Sequence, residues 1–199
     1  MIDLILEATL PPLQFPGLAT LLSRGFYFPV TPGSTIRETL ESQAGISPDY
    51  VKNRIQTVFL NGKAVDDMGT ACVADGDTLS LSAAMPGLAG ATFRKGGFYA
   101  SFRKGISYHD RPDFSWSAEG SIFIRLFNFV AREIGPLFLN AGIRLLEGDF
   151  DFFLRENGPD AAAVVSQVLL CGAPVTWAAL IQREKNGEDV FLRILFPGR

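Results

Sequence analysis

In "RIQTVFLNGKAV" (54–65) Ile55, Thr57 and Phe59 alternate with Val58 and Leu60 before the chain meets Asn61-Gly62. Both central residues of a type I′ turn need positive φ, so this dipeptide is a strong hairpin signal. "VADGDTLSLSAA" (73–84) repeats the pattern: Asp75-Gly76 makes a turn, and Leu79 and Leu81 alternate with Ser80 and Ser82. Such a strand buries one face. Upstream, Met1 to Leu10 reads as a strand closed by Pro11-Pro12, and "GFYFPV" (25–30) as a second. "TPGSTIRETLESQAG" is a helix: Thr35 caps it, Glu38 completes a capping box, and Gly45 ends it. The order over residues 1–88 is therefore β, β, α, β, β, β.

The second half has weaker periods. "SIFIRLFNFVAREIG" (121–135) is apolar at most positions, and Arg125, Asn128 and Arg132 fall in one helical stripe of about 60°. A buried helix ending at Gly135-Pro136 is expected there. Residues 136–157 divide into short helical or extended pieces broken at Gly142 and Gly148. "GPDAAAVVSQVLLCG" reads as a helix capped by Asp160 and closed by Gly172 and Pro174. "VTWAALIQREKNGEDVFLRILF" reads as a hairpin about Asn186-Gly187, its outgoing strand (190–196) apolar on both faces.

Between the halves, Phe93-Arg94-Lys95-Gly96 returns as Phe102-Arg103-Lys104-Gly105. With Gly96-Gly97 as a two-residue turn, Lys95 opposes Phe98 and Phe93 opposes Ala100. Phe93, Phe98 and Phe102 then share an apolar face, while Arg94, Tyr99, Ser101 and Arg103 share a wet one. The expected class is α+β: a domain at 1–88, a Gly-, aromatic- and basic-rich hairpin linker at 89–114, and a smaller domain at 115–199, with helices on an antiparallel sheet.

The order of elements, with "STIRETL", "VFLNGKAVDD" and "VADGDTLSLSAA" at these intervals, resembles the β-grasp, ubiquitin-like sulfur carriers: the molybdopterin synthase small subunit and its thiamine-pathway relative. The resemblance covers residues 1–88. It implies a sheet face that docks protein partners and a Gly-Gly tail whose carboxylate is adenylated and thiolated. Only Gly87 stands at the place of that tail, and the nearest pair, Gly96-Gly97, comes later. A carrier role therefore requires cleavage after Gly97.

Of 199 residues, 47% are hydrophobic and 20% charged, which marks a core-forming chain. The net charge of −3 makes nucleic acid an unexpected partner for the whole molecule, so any anion binding has to be local. Arg94, Lys95, Arg103 and Lys104, interleaved with aromatics, are the candidate basic contact surface. His109, the only histidine, has Asp110 and Asp113 beside it as a candidate polar site, but a triad or zinc site needs more ligands. Glu147, Asp149 and Asp151 lack the oxygen density of a calcium loop. Cys72 and Cys171 sit in apolar contexts and read as buried thiols. No metal and no cofactor are expected, and no familiar catalytic motif occurs. The acidic start does not read as a signal peptide and no run of 18 apolar residues occurs, so a cytoplasmic setting without a membrane is expected.

The expected role is a non-catalytic binding or adaptor protein, docking a protein partner through its sheet face, with homo-oligomerisation left open. The alternatives are a carrier released by cleavage after Gly97 and an enzyme with a pocket at the domain junction near His109.

Overall fold

A computed structural model describes residues 1–84, 87–99, 103, 107–108 and 119–197, with residues 88 and 89 described by backbone alone. Its strands are β1 (Ile2–Ala8), β2 (Phe26–Val30), β3 (Thr57–Leu60), β4 (Lys63–Ala64), β5 (Thr78–Ser82), β6 (Gly120–Phe127), β7 (Ile143–Leu145), β8 (Val165–Leu170), β9 (Ala173–Val175) and β10 (Val190–Leu195). Its helices are α1 (Leu18–Arg24), α2 (Ile36–Glu38, continued by a π turn at Thr39–Gln43), α3 (Pro48–Asn53), α4 (Gly87–Phe93), α5 (Asn128–Glu133), α6 (Gly135–Ala141), α7 (Glu147–Ala162) and α8 (Trp177–Ile181). Helices and mixed-direction strands thus build a chain of mixed α and β structure.

The chain divides into two compact units, one of residues 1–26 with 132–199 and one of residues 27–131. In the first, the strand order is β9-β8-β1-β10-β7. β1 lies parallel to β10 (Leu4↔Leu192) and antiparallel to β8 (Leu4↔Leu170), and β10 lies antiparallel to β7 (Leu192↔Ile143). Leu4, Leu6, Phe138, Phe150, Phe153, Leu192 and Ile194 are buried in this unit. The Met1 ammonium donates to Glu188 at 2.9 Å.

In the second unit the order is β4-β3-β5-β6-β2. β3 lies antiparallel to β5 (Leu60↔Leu79), and β5 parallel to β6 (Leu79↔Ile124). Val58, Leu60, Leu79, Leu81, Ile122, Ile124 and Leu126 are buried on one side of the sheet, and Ile36, Leu40, Val51 and Ile55 of the helical segment are buried with them. The capping box forms as the sequence requires: Glu38 N donates to Thr35 Oγ1 at 3.1 Å, and Thr35 N donates to Glu38 Oε2 at 2.9 Å.

Several expectations need correction. Residues 120–127 are a strand, not part of a helix. Ile122, Ile124 and Leu126 are buried while Arg125 is exposed, but Phe123 and Phe127 on the other face masked the alternation. The helix expected over 158–172 is the end of α7, which runs through Gly148, Pro159 and Asp160 and stops at Ala162. Its β-branched continuation, from Val165, is strand β8. β10 has no hairpin partner across Asn186-Gly187; the hairpin instead joins β8 to β9 through Cys171-Gly172. Cys171 is accordingly exposed at a left-handed turn (φ 50°), and Cys72 is only half-buried. β1, expected in an N-terminal domain, belongs to the unit that holds β10. The reason is its ladder with β10 and β8, which spans most of the strand.

Two short stretches of the units are alike. Val58-Phe59-Leu60-Asn61-Gly62 matches Val168-Leu169-Leu170-Cys171-Gly172, and the stretch from Gly76 to Pro86-Gly87 has the same length as that from Gly187 to Pro197-Gly198. The turns agree in conformation: Asn61 and Gly62 have φ 51° and 75°, Cys171 and Gly172 have φ 50° and 80°. The ladders agree too, since β4-β3-β5-β6 and β9-β8-β1-β10 each run antiparallel, antiparallel, parallel.

Candidate functional site

The described part of the basic stretch, residues 93–99, ends a helix and turns, and contains no strand. Phe93 closes α4 and packs on Phe59, with ring centroids 5.2 Å apart. Gly97 N then donates back to Arg94 O at 3.1 Å, making a tight turn. Geometry favours glycine at both positions. Gly96 has φ 59°, and a Cβ on Gly97 would stand 3.0 Å from the Arg94 carbonyl oxygen. The turn is held from outside as well: Lys95 N donates to Gln56 O (2.9 Å) and Gly96 N to Asp66 Oδ1 (2.9 Å). Here Gly96-Gly97 is a packed turn rather than a slender free tail.

The face assignment for this stretch is reversed at two residues. Phe98, expected on the apolar side, is 86% exposed and meets Tyr99 edge-on at 5.3 Å. Arg103, expected on the wet basic surface, is 2% exposed. Its Nε donates to Thr92 O (2.8 Å), its Nη1 to Ser107 Oγ (3.2 Å) and its Nη2 to Asp66 Oδ1 (2.5 Å). A buried guanidinium needs such a full set of acceptors, so Arg103 pins this segment instead of facing a ligand. Lys104, His109, Asp110 and Asp113 lie outside the described residues.

Arg94 and Lys95 do line a surface concavity, of about 510 Å³, with Lys52, Gln56, Phe98 and Tyr99. Arg94 Nε donates to Gln56 Oε1 at 3.0 Å, and Lys95 Nζ donates to Val51 O at 2.9 Å. Among the described residues, neither Lys52, Arg94 nor Lys95 has a carboxylate within salt-bridge distance. Burial, and then the charge of Arg37, hold the Lys95 ammonium below the ordinary lysine value. A neighbouring concavity of about 410 Å³ shares Lys52 and Lys95 and adds Arg37, Glu41, Asp66 and Asp67. Sequence reasoning missed Lys52 and Gln56 because nothing in their spacing connects α3 with a turn some forty residues on.

The opposite feature of this unit is the outer face of its sheet. Cross-strand register places Phe59, Ser80 and Arg125 in one row and Thr57, Ser82 and Phe127 in the next. Tyr27 packs on Phe123 at 5.0 Å, and the Arg125 guanidinium lies 5.2 Å from the Phe127 ring centroid. Tyr27, Phe59, Phe123 and Phe127 are all half-buried, and Phe129, just past the strand, is 61% exposed. A cavity of about 240 Å³ opens among Phe59, Ser80, Ser82, Phe127 and Asn128. Asn128 holds its rim, with φ 54° and its Nδ2 donating to Ser82 Oγ at 3.0 Å.

In the other unit, Arg183 is buried between α7 carboxylates. Its Nη2 stands 2.7 Å from Asp151 and 4.0 Å from Glu147, and Lys185 reaches Asp151 at 2.6 Å. Burial would raise the Asp151 carboxyl, but the hydrogen bonds from Lys185 and Arg183 together hold it below its ordinary value. With Gly187 N on Glu147 Oε2 (2.9 Å), this cluster fastens the segment before β10 to α7. Among the described residues, no group of three His, Cys, Asp or Glu is arranged to hold a metal ion. No described helix is long and apolar enough to cross a membrane. Compared with protein-family models, curated proteins and solved structures, the chain matches none.

Proposed function

We propose that the 27–131 unit is a non-catalytic protein-binding module of β-grasp type, docking its partner on the outer face of its sheet. Support for the β-grasp reading is the strand order β2-β6-β5-β3-β4 with a parallel central pair, together with the helical segment between β2 and β3. A β-grasp sheet is built on such a central pair, here with β6 in place of the N-terminal strand expected from sequence. The module is thus residues 27–127 rather than 1–88.

The observation that carries the binding role is the cluster of half-buried aromatics at Tyr27, Phe59, Phe123 and Phe127, extended by exposed Phe129. Partly exposed aromatic rings grouped on one sheet face, here with Phe59 covered in part by Phe93 of α4, favour an interaction site, because aromatics supply large contact area at low entropic cost. Affinity capture from native extract, with wild-type chain and with F127D/F129D, tests this. A protein recovered in stoichiometric amount with wild type and lost with the variant supports it, provided circular dichroism shows the variant folded. Equal recovery with both chains sinks it.

A further inference from the structure

The basic concavity beside Gly96-Gly97 is a separate surface, and the aromatic sheet face does not explain it. Three cations converge there from two distant segments, Lys52 on α3 and Arg94 and Lys95 after α4. Arg94 and Lys95 each spend one donor on a neutral oxygen, of Gln56 and Val51, and among the described residues none of the three cations has a carboxylate within salt-bridge distance. Two aromatic rings line the same concavity. Phe98 presents most of its side chain to water, a costly place for a phenyl group, and meets the Tyr99 ring edge-on.

We propose that this concavity binds a nucleoside phosphate, with the phosphates on Lys52, Arg94 and Lys95 and the base stacked on Phe98 or Tyr99. Cations meet phosphate oxygens through charge-assisted hydrogen bonds, and an aromatic face offers a stacking platform to any base. The volume of about 510 Å³ lies within the range of small-ligand sites. Charge favours a mononucleotide over a nucleic-acid strand. Glu41, Asp66 and Asp67 line the adjoining concavity, so the positive surface is interrupted where a polyanion would have to continue.

Calorimetric titration of the full chain with ATP, tripolyphosphate, adenosine and a dT oligomer tests the assignment. ATP is expected to bind at least about tenfold more tightly than each of the other three. Arg94→Ala should weaken ATP about tenfold. Phe98→Ala should weaken ATP by a similar factor while leaving tripolyphosphate unchanged. Both side chains are exposed, and circular dichroism is the check that the variants fold. Tripolyphosphate binding as tightly as ATP would reduce the site to an anion patch and overturn the proposal. So would tighter binding of the dT oligomer, no ATP binding at millimolar concentration, or wild-type titrations from both variants.

Discussion

The segments 58–82 and 168–195 begin alike and end differently. Both start with a strand that turns through a left-handed residue and a glycine into a short antiparallel return. In the first, Asn61 N donates to Thr78 O at 2.8 Å, and the strand that follows in sequence, β5, packs directly against β3. In the second, Cys171 N donates to Asp3 O, also at 2.8 Å, and β1 occupies the place that β5 holds in the first. β10, the sequence counterpart of β5, is displaced by one strand and lies parallel to β1.

The turn residue accounts for part of the difference. Asn61 Oδ1 accepts from Thr78 N (2.8 Å), and its Nδ2 donates to Asp77 Oδ1 (2.7 Å), so its side chain ties the turn to β5. Cys171 has no comparable reach. The stretch leading to β10 is tied instead to α7, through Glu147, Asp151 and Arg183. Local turn chemistry sets the hairpin, and the choice of the next partner falls to whichever strand is fastened there.

Breaking the borrowed strand should have the largest effect. Leu6 is fully buried on β1, so Leu6→Ala should cost about 2–5 kcal/mol in the unit built on β1. Hydrogen exchange should then rise in β8 and β10, the partners of β1, and unchanged protection in both would contradict the pairing described. Asp66→Ala leaves the Arg103 guanidinium without its carboxylate. Because Asp66 is itself 41% exposed, the expected cost is about 1–3 kcal/mol by denaturant unfolding, below that of a fully buried pair. A loss under half that would show Thr92 and Ser107 to suffice.

Exchanging the turn residues sharpens the comparison further. Asn61→Cys should cost about 1–2 kcal/mol, through lost hydrogen bonds and a left-handed conformation that suits asparagine better. Cys171→Asn should be neutral or stabilise by up to about 1 kcal/mol, and a loss there would mean that the two turns are not equivalent. The smallest effect concerns pH. Asp151 is held below its ordinary value, so its contribution is present above the unfolded carboxylate pKa of about 3.9 and fades as pH falls through the lower folded value. Asp151→Asn should therefore flatten the acid limb of stability against pH. An unchanged slope would deny Asp151 that role.

Much of the 27–131 unit was legible. Thr35 with Glu38, Asn61-Gly62 and the Leu79/Leu81 alternation are local devices, and each forms as read. The likeness of the two turn segments shows in sequence only when they are laid side by side, with the interval from Gly76 to Gly87 equal to that from Gly187 to Gly198. The candidate concavity was half legible. Arg94 and Lys95 stand out in sequence, whereas Lys52 joins them through the tertiary bonds of Arg94 and Lys95 to Val51 and Gln56.

The sequence by itself determined the caps, the left-handed turns and the strands that bury one face, because each depends on residues a few positions apart. Tertiary structure alone decided the rest. Residues 120–127 and 165–170 became strands because neighbouring strands satisfied their backbone, where a nearly continuous apolar run leaves the period ambiguous. It also decided that β1 pairs with β10, which lies almost the whole chain away. That choice rests on competition among apolar strands for the same edges, and no local pattern encodes its outcome.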